Sequence, residues 1–169
     1  RQLTFIILFV LVGCGNTPDQ SLVAEEYIGL NEYQNRQQIQ RLTGVDPVRT
    51  EWCAAFVNAI LEIEGIPSNN IHEYPLLARS FLDWGEAVDP ADIQVGDIVV
   101  FPRGSQGWKG HVGFYVGKQK DSNKWVILGG NQKNSVRYDL YNPNRALGIR
   151  RGNKPAQVIG SLPPWQAKY

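Results

Sequence analysis

The sequence has two cysteines, Cys14 and Cys53, and two histidines, His72 and His111. These four residues show no paired ligand spacing, so neither a metal nor another cofactor is expected. Charge of one sign is lacking too: the formal balance is +1, which leaves no basic footprint for a nucleic acid. No segment repeats at the ~20–50-residue period of solenoids and propellers, and no tract is of low complexity. No apolar run approaches the ~20 residues of a membrane-spanning helix; the longest, from Leu3 to Val12, is already interrupted by Thr4. What remains is ordinary globular composition, 43% hydrophobic and 20% charged over 169 residues, enough for one monomeric domain with a core.

The run from Leu3 to Val12 has the length of the apolar core of a secretory signal peptide. It closes in Leu11-Val12-Gly13-Cys14, which resembles the lipobox of bacterial lipoproteins. That resemblance implies a signal peptide over 1–13, acylation of the Cys14 sulfur, a lipidated polar tether over 14–21 and a domain over 22–169. Gly15, rather than Asp, after the cysteine implies the outer membrane, facing the periplasm, in a host with two membranes. The competing reading is a buried N-terminal strand with an incidental cysteine. Removing 1–13 takes away one basic residue, Arg1, and leaves the charges balanced, so lipid rather than charge would hold the protein to a membrane. With Cys14 lipidated no internal disulfide forms, and Cys53 becomes a lone free thiol that asks for a chemical role.

Thr50-Glu51-Trp52-Cys53-Ala54-Ala55-Phe56-Val57-Asn58-Ala59-Ile60-Leu61-Glu62-Ile63-Glu64-Gly65 reads as one helix. Thr50 is its expected N-cap, Gly65 its C′ residue, and Pro67 blocks continuation. Cys53, Phe56, Val57, Ile60 and Ile63 share a face. Cys53 lies in the first turn, where unpaired N–H groups and the helix dipole favour a thiolate; its bland alternative is a small buried hydrophobe. Further helices are predicted over 22–28, 32–42 and 76–84, with His72 as a solvated loop residue. Strands are predicted over 98–101, 111–116, 125–128, 136–140 and 147–150. Helices first and strands second imply an α+β domain with an antiparallel sheet.

A thiol nucleophile needs a base and a third polar group that orients it. His111 opens a strand directly after a Gly-rich loop, and Asn131 ends the following strand. If the two strands form a hairpin, the start of one lies beside the end of the other. Cys53, His111 and Asn131 are therefore the candidate catalytic constellation, with a turn role for Asn131 as its alternative. Trp52, Trp108 and Tyr115 flank this centre as candidate substrate-groove residues, or serve as core.

Trp52-Cys53-Ala54-Ala55-Phe56-Val57-Asn58, Gly96-Asp97-Ile98-Val99-Val100-Phe101, Gly110-His111-Val112-Gly113-Phe114-Tyr115-Val116-Gly117 and Leu128-Gly129-Gly130-Asn131-Gln132 follow one another in an order that resembles CHAP-type and NlpC-like papain-fold enzymes. The resemblance implies a papain-like fold and hydrolysis of peptidoglycan amide bonds, as an amidase or a peptide endopeptidase. Cys53 would be its nucleophile, His111 its base and Asn131 its third residue, a position where relatives also carry acidic side chains. The Cys53 backbone N–H would be an oxyanion donor. The alternatives are a catalytically silent papain-like domain that binds wall peptide or a partner, and an acyl or thioester-processing enzyme on the same fold.

Overall fold

The computed structural model describes residues 20–153. The expected signal peptide, Cys14 and most of the tether lie outside the described residues, as do residues 154–169. Three helices come first: α1 (Gln20–Glu25), α2 (Arg36–Thr43) and α3 (Cys53–Ile63). Six strands follow, β1 (Glu86–Ala87), β2 (Ile98–Pro102), β3 (Gly110–Lys118), β4 (Trp125–Gln132), β5 (Ser135–Tyr141) and β6 (Gly148–Arg151). They form one sheet in the order β1-β6-β2-β3-β4-β5 with antiparallel neighbours throughout. The α+β expectation holds.

Several boundaries differ from the sequence expectation for local reasons. The second helix begins at Arg36 rather than 32 because Asn31 Oδ1 accepts the backbone N–H groups of Tyr33 and Gln34 and holds a turn there. The segment expected as an α-helix over 76–84 is a 3₁₀ helix, Ala78–Asp83, whose tighter period turns both Ala78 and Phe81 inward. Thr50 is not the N-cap of α3. Its N–H bonds Asp46 O within a turn, and Trp52 takes the cap position with no side-chain hydrogen bond to the helix. The C-terminus ends as the sequence suggests: Gly65 sits at φ 68°, its N–H bonds Glu62 O, and Ile66 N–H reaches back to Leu61 O. That pair of bonds is a Schellman motif, with Ile66 and Leu61 both buried beneath it.

Two apolar clusters lie on opposite faces of the sheet. On one, α3 packs against β3 and β4, with Phe56, Val57, Ile60, Val112, Phe114 and Leu128 fully buried. α1 and α2 cover the remaining sides of α3, so residues from Cys53 to Leu61 are buried all round. Each large side chain in this cluster contributes about 1.5–3 kcal/mol by leaving water. The other face carries Val99, Phe101, Tyr115, Trp125, Ile127 and Ile149. Gly129 and Gly130 separate the two. A Cβ on Gly130 would meet the Trp52 ring at 2.5 Å on the helix side, whereas one on Gly129 would lie 3.3 Å from His111 Nε2 on the other.

Candidate active site

Cys53 is the first residue of α3, and no side chain caps that end of the helix. The first helical bond runs from Phe56 N–H to Trp52 O, so the N–H groups before it are free of the ladder. Two backbone N–H groups, from Val112 and Ala54, point at the Cys53 sulfur and, with the Arg103 cation, pull its pKa down. Burial outweighs them and pushes the thiol up, aided slightly by the Glu51 carboxylate. Burial thus works against the thiolate that the helix terminus alone would favour. Desolvation disfavours the charged form of a buried group, and Cys53 is 2% exposed.

His111 is the second residue of β3, directly before the Val112 N–H that meets the thiol. Val112 points to the helix side of the sheet and His111 to the other. The imidazole is buried, and its pKa falls to about 4, first from that burial and then from Arg103; its bond to Gln132 and the charge of Asp139 oppose the fall weakly. Its Nε2 lies 3.0 Å from Gln132 Oε1. The Gln132 amide has a fixed sense, because its own Nε2 donates to two backbone carbonyls, Ile127 O and Arg137 O. Oε1 is therefore the acceptor, His111 Nε2 carries the proton, and Nδ1 is left with its lone pair.

Among the described residues, Asn131 makes no hydrogen bond to His111. Extending the β3–β4 register from Phe114↔Leu128 by plain alternation would set Asn131 opposite His111. Asn131 instead adopts φ 55°, and the β4–β5 register shifts by one residue between Gly129 and Gln132. The bulge turns Gln132 onto the imidazole face. Its signal in the sequence is faint: Lys133-Asn134, with φ 50° and φ 62°, is the two-residue type I′ turn between Gln132 and Ser135, occupied by a lysine rather than glycine. The Asn131 side chain points elsewhere and donates to Glu51 Oε2 at 2.6 Å. Arg103 Nη1 donates to the same oxygen at 2.8 Å, and its Nη2 reaches Asn131 O at 3.4 Å. This network ties the segment before α3 to the end of β2 and to the bulge. Glu51, Arg103, Gln132 and Tyr141, whose ring lies on His111, were not singled out by spacing or motif.

The three aromatic candidates separate. Trp52 is not a groove residue: it is fully buried, and its Nε1 donates to Glu32 Oε2 at 3.1 Å. Tyr115 is 6% exposed and packs edge-on against Trp125 in the far-face cluster. Trp108 alone is exposed, at 61%. It lines a groove of about 180 Å³ with Cys53, Glu51, Leu77, Arg103 and Lys109, so the thiol opens onto a cleft with an apolar wall and two cations. No hydrogen bond joins Cys53 to His111 among the described residues, and the imidazole is not part of the groove lining. A larger hollow of about 520 Å³, lined by Ile71, His72 and Trp84, contains none of these residues.

A buried helix that begins with cysteine, laid on an antiparallel sheet whose long strand has histidine as its second residue, has the papain-like α+β fold of the NlpC type. Among solved structures, NlpC1 from Trichomonas vaginalis is similar at TM-score 0.53 and 19% identity, over 78% of this chain and 42% of that one. An NlpC/P60 family protein from Bacillus cereus gives TM-score 0.47 and 20% identity, over 79% of this chain and 39% of that one. The chain thus spans less than half the length of these two proteins. No protein-family model and no curated protein matches the sequence.

Proposed function

We propose that the protein is a cysteine hydrolase that cleaves amide bonds in peptidoglycan, as an N-acetylmuramoyl-L-alanine amidase or a peptide endopeptidase. The observation that carries this reading is the presence in one domain of an uncapped helix start bearing Cys53 and an imidazole whose protonated nitrogen is fixed by Gln132. A purely structural cysteine needs neither. His111 Nδ1 takes the thiol proton as substrate enters, and the Cys53 sulfur attacks the carbonyl carbon. The oxyanion is received by the Cys53 N–H at the helix start. The imidazolium then protonates the leaving amine, and a water deprotonated by Nδ1 releases the acyl group. Apo geometry with no thiol–imidazole bond is compatible with this sequence, since such bonds often tighten only with substrate. Acylation of Cys14 would hold the domain at the membrane, beside its substrate.

The absence of a thiol–imidazole hydrogen bond among the described residues favours one second reading, a silent papain-like domain that binds wall peptide. One experiment separates them: mass spectrometry of products from purified sacculi, with palmitate labelling of the full chain reporting on Cys14. Cys53→Ala and His111→Ala should each reduce hydrolysis to background, and the double variant should be no worse, because residues acting as one unit are not additive. Folded Cys53→Ala with undiminished hydrolysis would overturn the cysteine mechanism. Wild-type protein that binds wall peptides without cutting them would establish the second reading.

A further inference from the structure

The sheet face away from α3 carries a ring stack that the mechanism above does not use. Tyr141, the last residue of β5, lies parallel to His111, with centroids 5.6 Å apart and planes within 4°. It also stacks on Phe101, the direct cross-strand partner of His111, at 4.4 Å. The sheet coils enough to bring the far end of β5 across β3. From there the Tyr141 hydroxyl donates at 2.9 Å to Gln132 Oε1, the same oxygen that accepts from His111 Nε2. Tyr141 therefore acts on the imidazole twice, through the face of the ring and through the atom the ring bonds.

We propose that Tyr141 is a positioning residue that holds the plane and tautomer of His111, so that Nδ1 remains the basic nitrogen. The torsion that rotates an imidazole is broad and close to two-fold, so packing must choose between its two flips. A parallel ring at stacking distance blocks the intermediate planes. The hydroxyl favours the state in which Gln132 presents its oxygen, since the flipped amide would set its N–H groups against that donor. The hydroxyl stays protonated because burial, and then Asp139, push its pKa up; Cys53 pushes the same way, against Arg103 and Arg145. The charges that act on His111 itself are Arg103 and Asp139. The kinetic part of this inference rests on the hydrolase reading; the tautomer part does not.

The test is two-bond ¹⁵N–¹H correlation spectroscopy on protein labelled in its imidazoles, with kcat and KM measured in parallel. Only His72 and His111 contribute signals, so His111→Gln assigns them. Wild type should show His111 protonated at Nε2 throughout the neutral range. Tyr141→Leu should show both tautomers, a fall in kcat of about tenfold or more, and KM nearly unchanged. Tyr141→Phe keeps the stack and should recover most of the Nε2–H form and most of kcat, with faster exchange of the Nε2 proton. Tyr141→Leu that stays folded with a wild-type tautomer would overturn the proposal. If Tyr141→Leu does not fold, a Tyr141→Phe variant with wild-type Nε2 proton exchange overturns it instead. A tautomer change without hydrolysis even in wild type would sink the hydrolase reading and leave the positioning role standing.

Discussion

At the scale of single residues, Gln132→Ala strips His111 Nε2 of its acceptor and frees the ring to adopt either tautomer. Loss of an orienting group with nucleophile and base intact costs up to about 10⁴-fold in kcat. Asn131→Gly keeps the left-handed backbone and removes only the bond to Glu51, so its loss should stay within roughly tenfold. Steady-state kinetics on the two variants decides which neighbour orients the base; equal losses would restore Asn131 to that role. His111 also makes stability depend on pH. Its pKa is about 4 in the fold against an ordinary 6.5, so between these values the unfolded chain binds the extra proton. Stability from this group is complete above about pH 6.5 and disappears as pH falls toward 4, a change of roughly 3 kcal/mol. Urea melts at pH 7 and pH 4.5 should show a larger drop for wild type than for His111→Asn.

At the scale of elements, α3 was legible because its signals are local. Its apolar spacing, Gly65 and Pro67 define where the helix runs and ends, and Cys53 falls in its first turn in both the sequence and the structure. The hairpin that brings His111 beside the end of β4 was legible too, from two β-rich runs around a polar turn. The identity of the residue that bonds His111 was not. Strand alternation is a period-two rule, and one residue in the left-handed region reverses every assignment beyond it. Asn131 offers only a mild bias toward that conformation. Trp52 and Tyr115 misled for a different reason: nearness in sequence to a site says nothing about which face a side chain takes. The Gly129-Gly130 pair was legible as a pattern but not as a requirement. Gly130→Ala would press a methyl into Trp52 and Phe56 at 2.5 Å and 2.7 Å. Overpacking of this kind costs about 1–3 kcal/mol, to be seen as a lower thermal midpoint with an unchanged helix signal.

At the scale of the molecule, the thiol belongs to the cluster around α3, while the imidazole belongs with Phe101 and Tyr141 on the opposite face. Their meeting point is the first residues of β3, where the Val112 N–H acts on the Cys53 thiol and His111 precedes it. Such an arrangement behaves like a clasp whose halves are sewn to different panels. A small shift of one panel against the other opens the clasp long before either tears. Local rearrangements of this size need far less free energy than global unfolding. The proposed hydrolytic activity should therefore vanish at lower urea concentration than circular dichroism or tryptophan fluorescence changes. Coincident curves would mean that the two faces of the sheet move as one body.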